Sequence, residues 1–156
     1  MKKVYTYEKK YFNIEVLLTG IISILVSLIS LVMMVLQFLT PLFVILFVVC
    51  VYQIVNTFFT NSNPREIEVT DKTLSLSSFN IKDTYELKQI KSFRVREFPR
   101  KAKAYVRINK KGRYWIQTYR MNDGDELYDW LLTFEQKIHP DSLKARAKQF
   151  DKSKKK

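Results

Sequence analysis

No charged side chain occurs between residues 16 and 64. That single property decides most of what this chain can become. A helix rises about 1.5 Å per residue and a bilayer's hydrocarbon core is about 30 Å thick. Residues 16–39 (VLLTGIISILVSLISLVMMVLQFL) are long enough to cross with some tilt, and residues 42–60 (LFVILFVVCVYQIVNTFFT) are just long enough. Only Thr40-Pro41 separates them. Proline lacks a backbone N–H and favours the start of a helix over its interior. The expected arrangement is a tight transmembrane helical hairpin over residues 13–60. A cleaved signal peptide fits poorly, because the first run is too long, lacks a small-residue cleavage site and is followed by a second span.

Basic residues flank the hairpin on both sides and are absent from its turn. Lys2, Lys3, Lys9 and Lys10 precede the first span, and Arg65 follows the second. The positive-inside rule therefore places both termini in the cytoplasm and the turn outside, giving a two-span protein of the cell membrane. Asn13 is a candidate cap for the first helix, with Glu15 complementing the dipole in its first turn. Residues 1–12 read as a cytoplasmic N-terminal segment.

Small and polar residues recur within the spans. Gly20, Ser23, Ser27 and Ser30 follow steps of three, four and three, as do Cys50, Gln53, Thr57 and Thr60. Each set falls on one helical face. With a turn near position 40, Ser30 lies level with Cys50, Ser27 with Gln53 and Ser23 with Thr57. Such a face permits close helix approach and hydrogen bonds across the seam. A polar solute path is the competing reading, but two helices cannot enclose a pore and no ionisable side chain falls at mid-membrane depth.

From residue 65 the composition changes sharply. The chain as a whole carries 27 Lys and Arg against 15 acids, a net charge of +12, and most of that charge lies here. Period-two apolar patterns mark strands at Ile67–Val69, Leu74–Leu76, residues 81–87, 90–98, 104–108 and 114–119. In the last hairpin, a loop of Lys110-Lys111-Gly112 puts glycine where positive φ is wanted. Ile108 then faces Tyr114, Val106 faces Ile116 and Ala104 faces Thr118 on an apolar side. The opposite side pairs Arg107 with Trp115, Tyr105 with Gln117 and Lys103 with Tyr119. A closing helix follows, capped by Asn122 or Asp123, with Leu127, Trp130, Leu131, Phe134 and Ile138 forming one apolar stripe. Pro140 ends it. The fold class expected is an α+β membrane protein, with an antiparallel β-barrel or sheet over residues 65–140 plugged by a C-terminal amphipathic helix and a basic tail over 141–156.

The stretches IEVTDKTLSL, ELKQIKSFRVREF, KAYVRINKKGRYWIQTY and DELYDWLLTFEQKI, in this order after a two-span hairpin, resemble bacterial membrane proteins with a cytoplasmic pleckstrin-homology-like (PH-like) domain. The resemblance covers nearly the whole chain and rests on pattern, not on a catalytic motif. It implies a binding or scaffolding unit at the inner membrane face. In phosphoinositide-binding domains of this kind a basic cluster flanks the first hairpin turn. Here that turn has only Lys72 beside Asp71, so such recognition does not carry over.

Catalytic sets are hard to assemble. The only histidine, His139, sits beside Pro140, and the only cysteine, Cys50, falls within a predicted span. One histidine and one cysteine cannot form a four-ligand His/Cys metal site. Three glycines are too few for a phosphate loop, and no dinucleotide fingerprint occurs. A non-enzyme without cofactor is expected. The remaining signal is the basic surface. Arg94, Arg96, Lys103, Tyr105, Arg107 and Trp115 fall on the outer face of the predicted sheet, within a stretch that also contains Arg100, Lys101, Lys110, Lys111 and Arg113. Anionic lipid head groups or a protein partner would suit such a face. Nucleic acid, stacking on Trp115, Tyr105 and Tyr119, is the weakest of the binding readings. A merely solvated face is the plain alternative. The functional expectation is a membrane-anchored adaptor whose cytoplasmic domain binds a protein partner, with anionic lipid assisting. The alternative is an auxiliary or immunity-type subunit whose hairpin binds a larger membrane complex.

Overall fold

The computed structural model describes residues 2–79, 81–98, 103–109 and 111–140. The basic tail expected over 141–156, and Arg100, Lys101 and Lys110, lie outside them. The protein is α+β, with two long apolar helices and two antiparallel sheets. Strand β1 (Lys2–Thr6) comes first, followed by helix α1 (Lys9–Val35) and helix α2 (Thr40–Phe59). Strands β2 (Glu66–Thr70), β3 (Thr73–Ser78) and β4 (Ile81–Glu86) complete a four-stranded sheet in the order β1-β2-β3-β4. Strands β5 (Phe93–Phe98), β6 (Lys103–Ile108) and β7 (Gly112–Ile116) form a three-stranded meander. Helix α3 (Gly124–Ile138) closes the described chain.

Both long helices are long and apolar enough to cross a membrane. They depart from the expected bounds at each end. The first starts at Lys9, with Glu8 rather than Asn13 in the cap position, and Asn13 lies within a π turn spanning Asn13–Leu17. A second π turn occupies Val55–Phe59 near the same end of α2. The first helix stops at Val35, and Gln37 and Leu39 adopt left-handed backbone angles (φ 55° and 43°) to reverse the chain. Pro41 is therefore in the first turn of α2, where its missing N–H costs nothing.

The N-terminal segment is the largest departure from the sequence reading. Instead of an appendage, residues 2–6 pair antiparallel with β2, from Lys2 opposite Thr70 to Thr6 opposite Glu66. Tyr7 N–H donates to the Arg65 carbonyl at 2.7 Å, and Tyr7 bridges to Met121. The chain then enters α1, whose Phe12 and Val16 are buried (2% and 6% exposed) in the same apolar cluster as Ile67, Leu76, Phe93, Val106 and Leu131. Phe12 meets the edge of Tyr7 at 5.4 Å between ring centres and tilts against Phe79 at 5.6 Å. The base of the helical hairpin is thus part of the core of the β unit.

The two sheets do not close into a barrel. Their edges meet through side chains. At one side Tyr114 on β7 donates to Asp83 on β4 at 2.8 Å and shares a 2.6 Å bond with Tyr85. Asn61, in the segment after α2, donates to Asp83 at 3.1 Å and to the Leu76 carbonyl at 2.6 Å. Burial first, then these two partners, hold the Tyr114 phenol far above its ordinary pKa, so it remains a donor. At the other side α3 lies along β5: the Val95 N–H donates to Glu135 at 3.0 Å and the Phe93 N–H to His139 Nε2 at 3.4 Å. These acceptors satisfy an edge that would otherwise expose unpaired donors. Helix α3 buries Leu127 and Leu131 as its stripe predicts, with Trp130, Phe134 and Ile138 partly covered. Neither expected residue caps it through its side chain. Asp123 precedes it with φ 50°, and Asn122 instead accepts a bond from the Thr6 N–H of β1. Gly124 is required there, since a Cβ would lie 1.7 Å from the Thr118 carbonyl oxygen.

Candidate functional site

Two sets of residues carry the functional expectations: the helix seam and the outer face of the three-stranded sheet.

At the seam, Ser23, Ser27 and Ser30 are buried, as are Gly20, Cys50 and Thr57, while Gln53 is half-buried. The faces are those read from the spacing. Two details differ. The turn occupies residues 36–39, so Gly20 sits against Thr57 and Phe58, about one helical turn from the expected Ser23–Thr57 pairing. The hydroxyls also do not bond across the seam. Ser23 donates to the Thr19 carbonyl at 2.9 Å, Ser27 to Ile24 at 2.8 Å and Ser30 to Val26 at 2.8 Å, all within α1. Each serine hydroxyl is satisfied by its own helix, so the serines serve the interface through small size. A Cβ on Gly20 would already lie 2.7 Å from the Phe58 ring and the Thr57 methyl.

At the base of α1, Glu15 gathers partners from two other parts of the fold. It accepts from Tyr7 at 3.0 Å and Tyr119 at 3.5 Å and pairs with Arg120 at 3.4 Å. The Arg120 guanidinium lies 3.7 Å from the Tyr11 ring centre and 4.6 Å from that of Tyr119. Burial and then the bond to Glu15 raise the Tyr7 phenol well above its ordinary pKa. Glu15 therefore fastens the helix to the sheets; because the helix starts at Lys9, it lies beyond the first turn in which it was expected to complement the dipole.

On the three-stranded sheet the inner and outer faces are as expected, but the β6–β7 pairing is shifted by two residues. Ile108 pairs with Gly112, Val106 with Tyr114 and Ala104 with Ile116. The cause is at the turn. Asn109, not Gly112, takes the left-handed conformation (φ 52°), and its side-chain oxygen accepts from the Lys91 and Ser92 N–H groups at 3.0 and 3.1 Å. Asparagine tolerates that conformation and gains two bonds by adopting it. Gly112 instead admits the Tyr85 hydroxyl, which would lie 2.6 Å from a Cβ. A shift of two preserves both faces, so Val106, Ile108, Tyr114 and Ile116 remain buried and Trp115 is 40% exposed.

The shift does change who stands beside whom. Arg94, Arg107 and Arg113 lie opposite one another across β5, β6 and β7, and Arg96, Tyr105 and Trp115 form the next row. Trp115 packs on Tyr105 at 4.7 Å between ring centres and on Phe98 at 5.6 Å. The expected Arg107–Trp115 and Lys103–Tyr119 pairs are not formed; Lys103 stands opposite Phe98. Arg94, Arg96, Arg107 and Arg113 are exposed, and among the described residues none has an ion pair. Directly opposed like charges destabilise a sheet, so this row is maintained at a cost. The expected site lacks Arg113, which the expected register sets opposite Asn109, and Phe98, which alternates onto the outer face of β5 with Arg94 and Arg96. Simple alternation places Arg113 on the same face as Trp115.

Among the described residues no group of three His, Cys, Asp or Glu side chains is placed to hold a metal ion. The chain matches no family model, no curated protein and no solved structure.

If the serine face contributes by being small, Ser30→Leu destabilises the protein by about 1–3 kcal/mol through overpacking. Leu28→Ala, at an exposed position, changes stability by less than about 0.5 kcal/mol. Thermal unfolding of both variants in detergent micelles checks the contrast.

Proposed function

We propose that the protein is a two-span membrane adaptor, with both termini in the cytoplasm, whose three-stranded sheet presents a docking face to a protein partner with an acidic surface. What supports membrane insertion is the bare apolar flank of both helices: Leu25, Leu28, Ile29, Val32, Ile45 and Val48 are all more than half exposed. A soluble monomer rarely leaves so large a contiguous apolar patch in water. Lys2, Lys3, Lys9 and Lys10 ahead of the apolar part of α1 and the basic residues after α2 support the orientation. The order of seven antiparallel strands and a closing helix supports a PH-like unit, here left open along its two edges.

The single observation that carries the docking role is the arginine row Arg94–Arg107–Arg113 beside the Phe98–Trp115–Tyr105 cluster. Opposed arginines with no ion pair among the described residues are poor for folding and good for binding carboxylates. A half-exposed tryptophan beside them is the kind of anchor that dominates protein interfaces.

In a Cys50→Ser background, cysteine at Gln37 is expected to react with an impermeant maleimide on intact cells, and cysteine at Lys111 only after permeabilisation. Reaction of the Lys111 variant from outside overturns the orientation. Photo-crosslinking placed at Tyr105 is expected to yield protein adducts that disappear with Trp115→Ala. Adducts confined to probes at Leu28 or Val48 support instead a subunit whose helical hairpin binds a larger membrane complex.

A further inference from the structure

The outer face of β6 and β7 does not simply open to solvent. The Trp115 N–H donates to the Ser62 carbonyl at 2.7 Å, which holds the β7 edge against the segment leaving α2. Between that edge and the last turns of α2 lies a cleft of about 520 Å³. Tyr52, Gln53 and Asn56 line its helix side, and Tyr105, Arg113 and Trp115 line its sheet side. No acidic side chain lines it among the described residues. Its volume is that of a small-molecule site, and its lining combines aromatic, amide and cationic side chains.

We infer that this cleft holds the head group of an anionic glycerophospholipid from the leaflet in which α2 ends. The inference rests on the membrane-spanning reading of α1 and α2 and adds a ligand to it. The Arg113 guanidinium is the phosphate contact, with Arg107 beside it in the row as a second charge. Arginine is suited to phosphate because its planar fork presents paired donors. The Gln53 and Asn56 amides meet the ester and glycerol oxygens, and Tyr52, 67% exposed, borders the path of the acyl chains along α2. Trp115 and Tyr105 supply the amphipathic rings that favour the head-group level. The site shares Tyr105, Arg113 and Trp115 with the partner face but opens toward the helix, whereas Arg94 and Arg96 stand on β5, outside its lining.

Native mass spectrometry of the detergent-solubilised full chain, titrated with phosphatidylglycerol or phosphatidylcholine, tests the site. One phosphatidylglycerol is expected to be retained in preference to phosphatidylcholine. R113Q is expected to lower that retention about fivefold, as loss of one surface charge near an anionic lipid does. N56L, which leaves the net charge unchanged, is expected to lower it too, while R94Q stays near wild type. Circular dichroism confirms that each variant is folded. Equal retention of the two lipids, equal effects of R94Q and R113Q, or an unaffected N56L overturns the site. Alkaline carbonate extraction separates this failure from failure of the membrane reading. A protein that stays in the pellet but shows no lipid preference loses only the cleft. A protein released into the supernatant loses the spanning helices and the cleft together.

Discussion

Residues 2–7 hydrogen-bond along β2 and only then turn into α1, so the first long helix leaves the β unit from inside its own sheet. The placement of the proposed docking face relative to the helices depends on that pairing. A helix joined to a domain by a free linker would leave the domain's orientation open. Here Phe12 and Val16, in the first turns of α1, are buried with residues from both sheets, and Glu15 is tied to Tyr7, Tyr119 and Arg120. On the other side, Asn61 and Ser62 bind the chain leaving α2 to β3 and β7. Both helices are fixed at their bases, and the arginine row is fixed with them.

The same economy explains why the sheets stay open. A closed barrel would hydrogen-bond β4 to β7 and β1 to β5. The first gap is occupied by tyrosine side chains and by Asn61, and Gly112 makes room for Tyr85. The second is covered by α3, whose Glu135 and His139 take the β5 donors, and by the Tyr7–Met121 bridge. Opening the barrel gives the helical hairpin a place to enter the core. The two features are one solution: a unit sealed on itself would have no apolar face left for Phe12 and Val16.

Hydrophobic period was legible in the sequence, because it depends only on spacing. The serine face of α1, the buried and exposed faces of β6 and β7, and the stripe on α3 all follow from it. Register was not. The choice between Asn109 and Gly112 for the left-handed position turns on bonds from Lys91 and Ser92, which are distant in the chain. With the register went Arg113, the member of the row nearest the helix. Strand β1 was hidden for a similar reason. Tyr5 and Tyr7 alternate with Val4 and Thr6, but two flanking lysine pairs made the segment read as a membrane flank. Only its pairing with β2 gives it structure. The lack of a barrel was likewise beyond reach, since side-chain seals between sheet edges leave no periodic trace.

A rigid platform at the end of two apolar helices is a sensible carrier for a costly arginine row. The proposed partners, a protein surface and a lipid head group, would meet it in one orientation relative to the helices. That account stands or falls on the shared core. The direct measurement is an amide NMR spectrum of residues 65–140 alone, without β1, Phe12 and Val16. A collapsed, poorly dispersed spectrum is the predicted result, because the β unit then lacks an edge strand and part of its interior. A well-dispersed spectrum of a folded domain would contradict it, and would return the helical hairpin to the status of a detachable anchor.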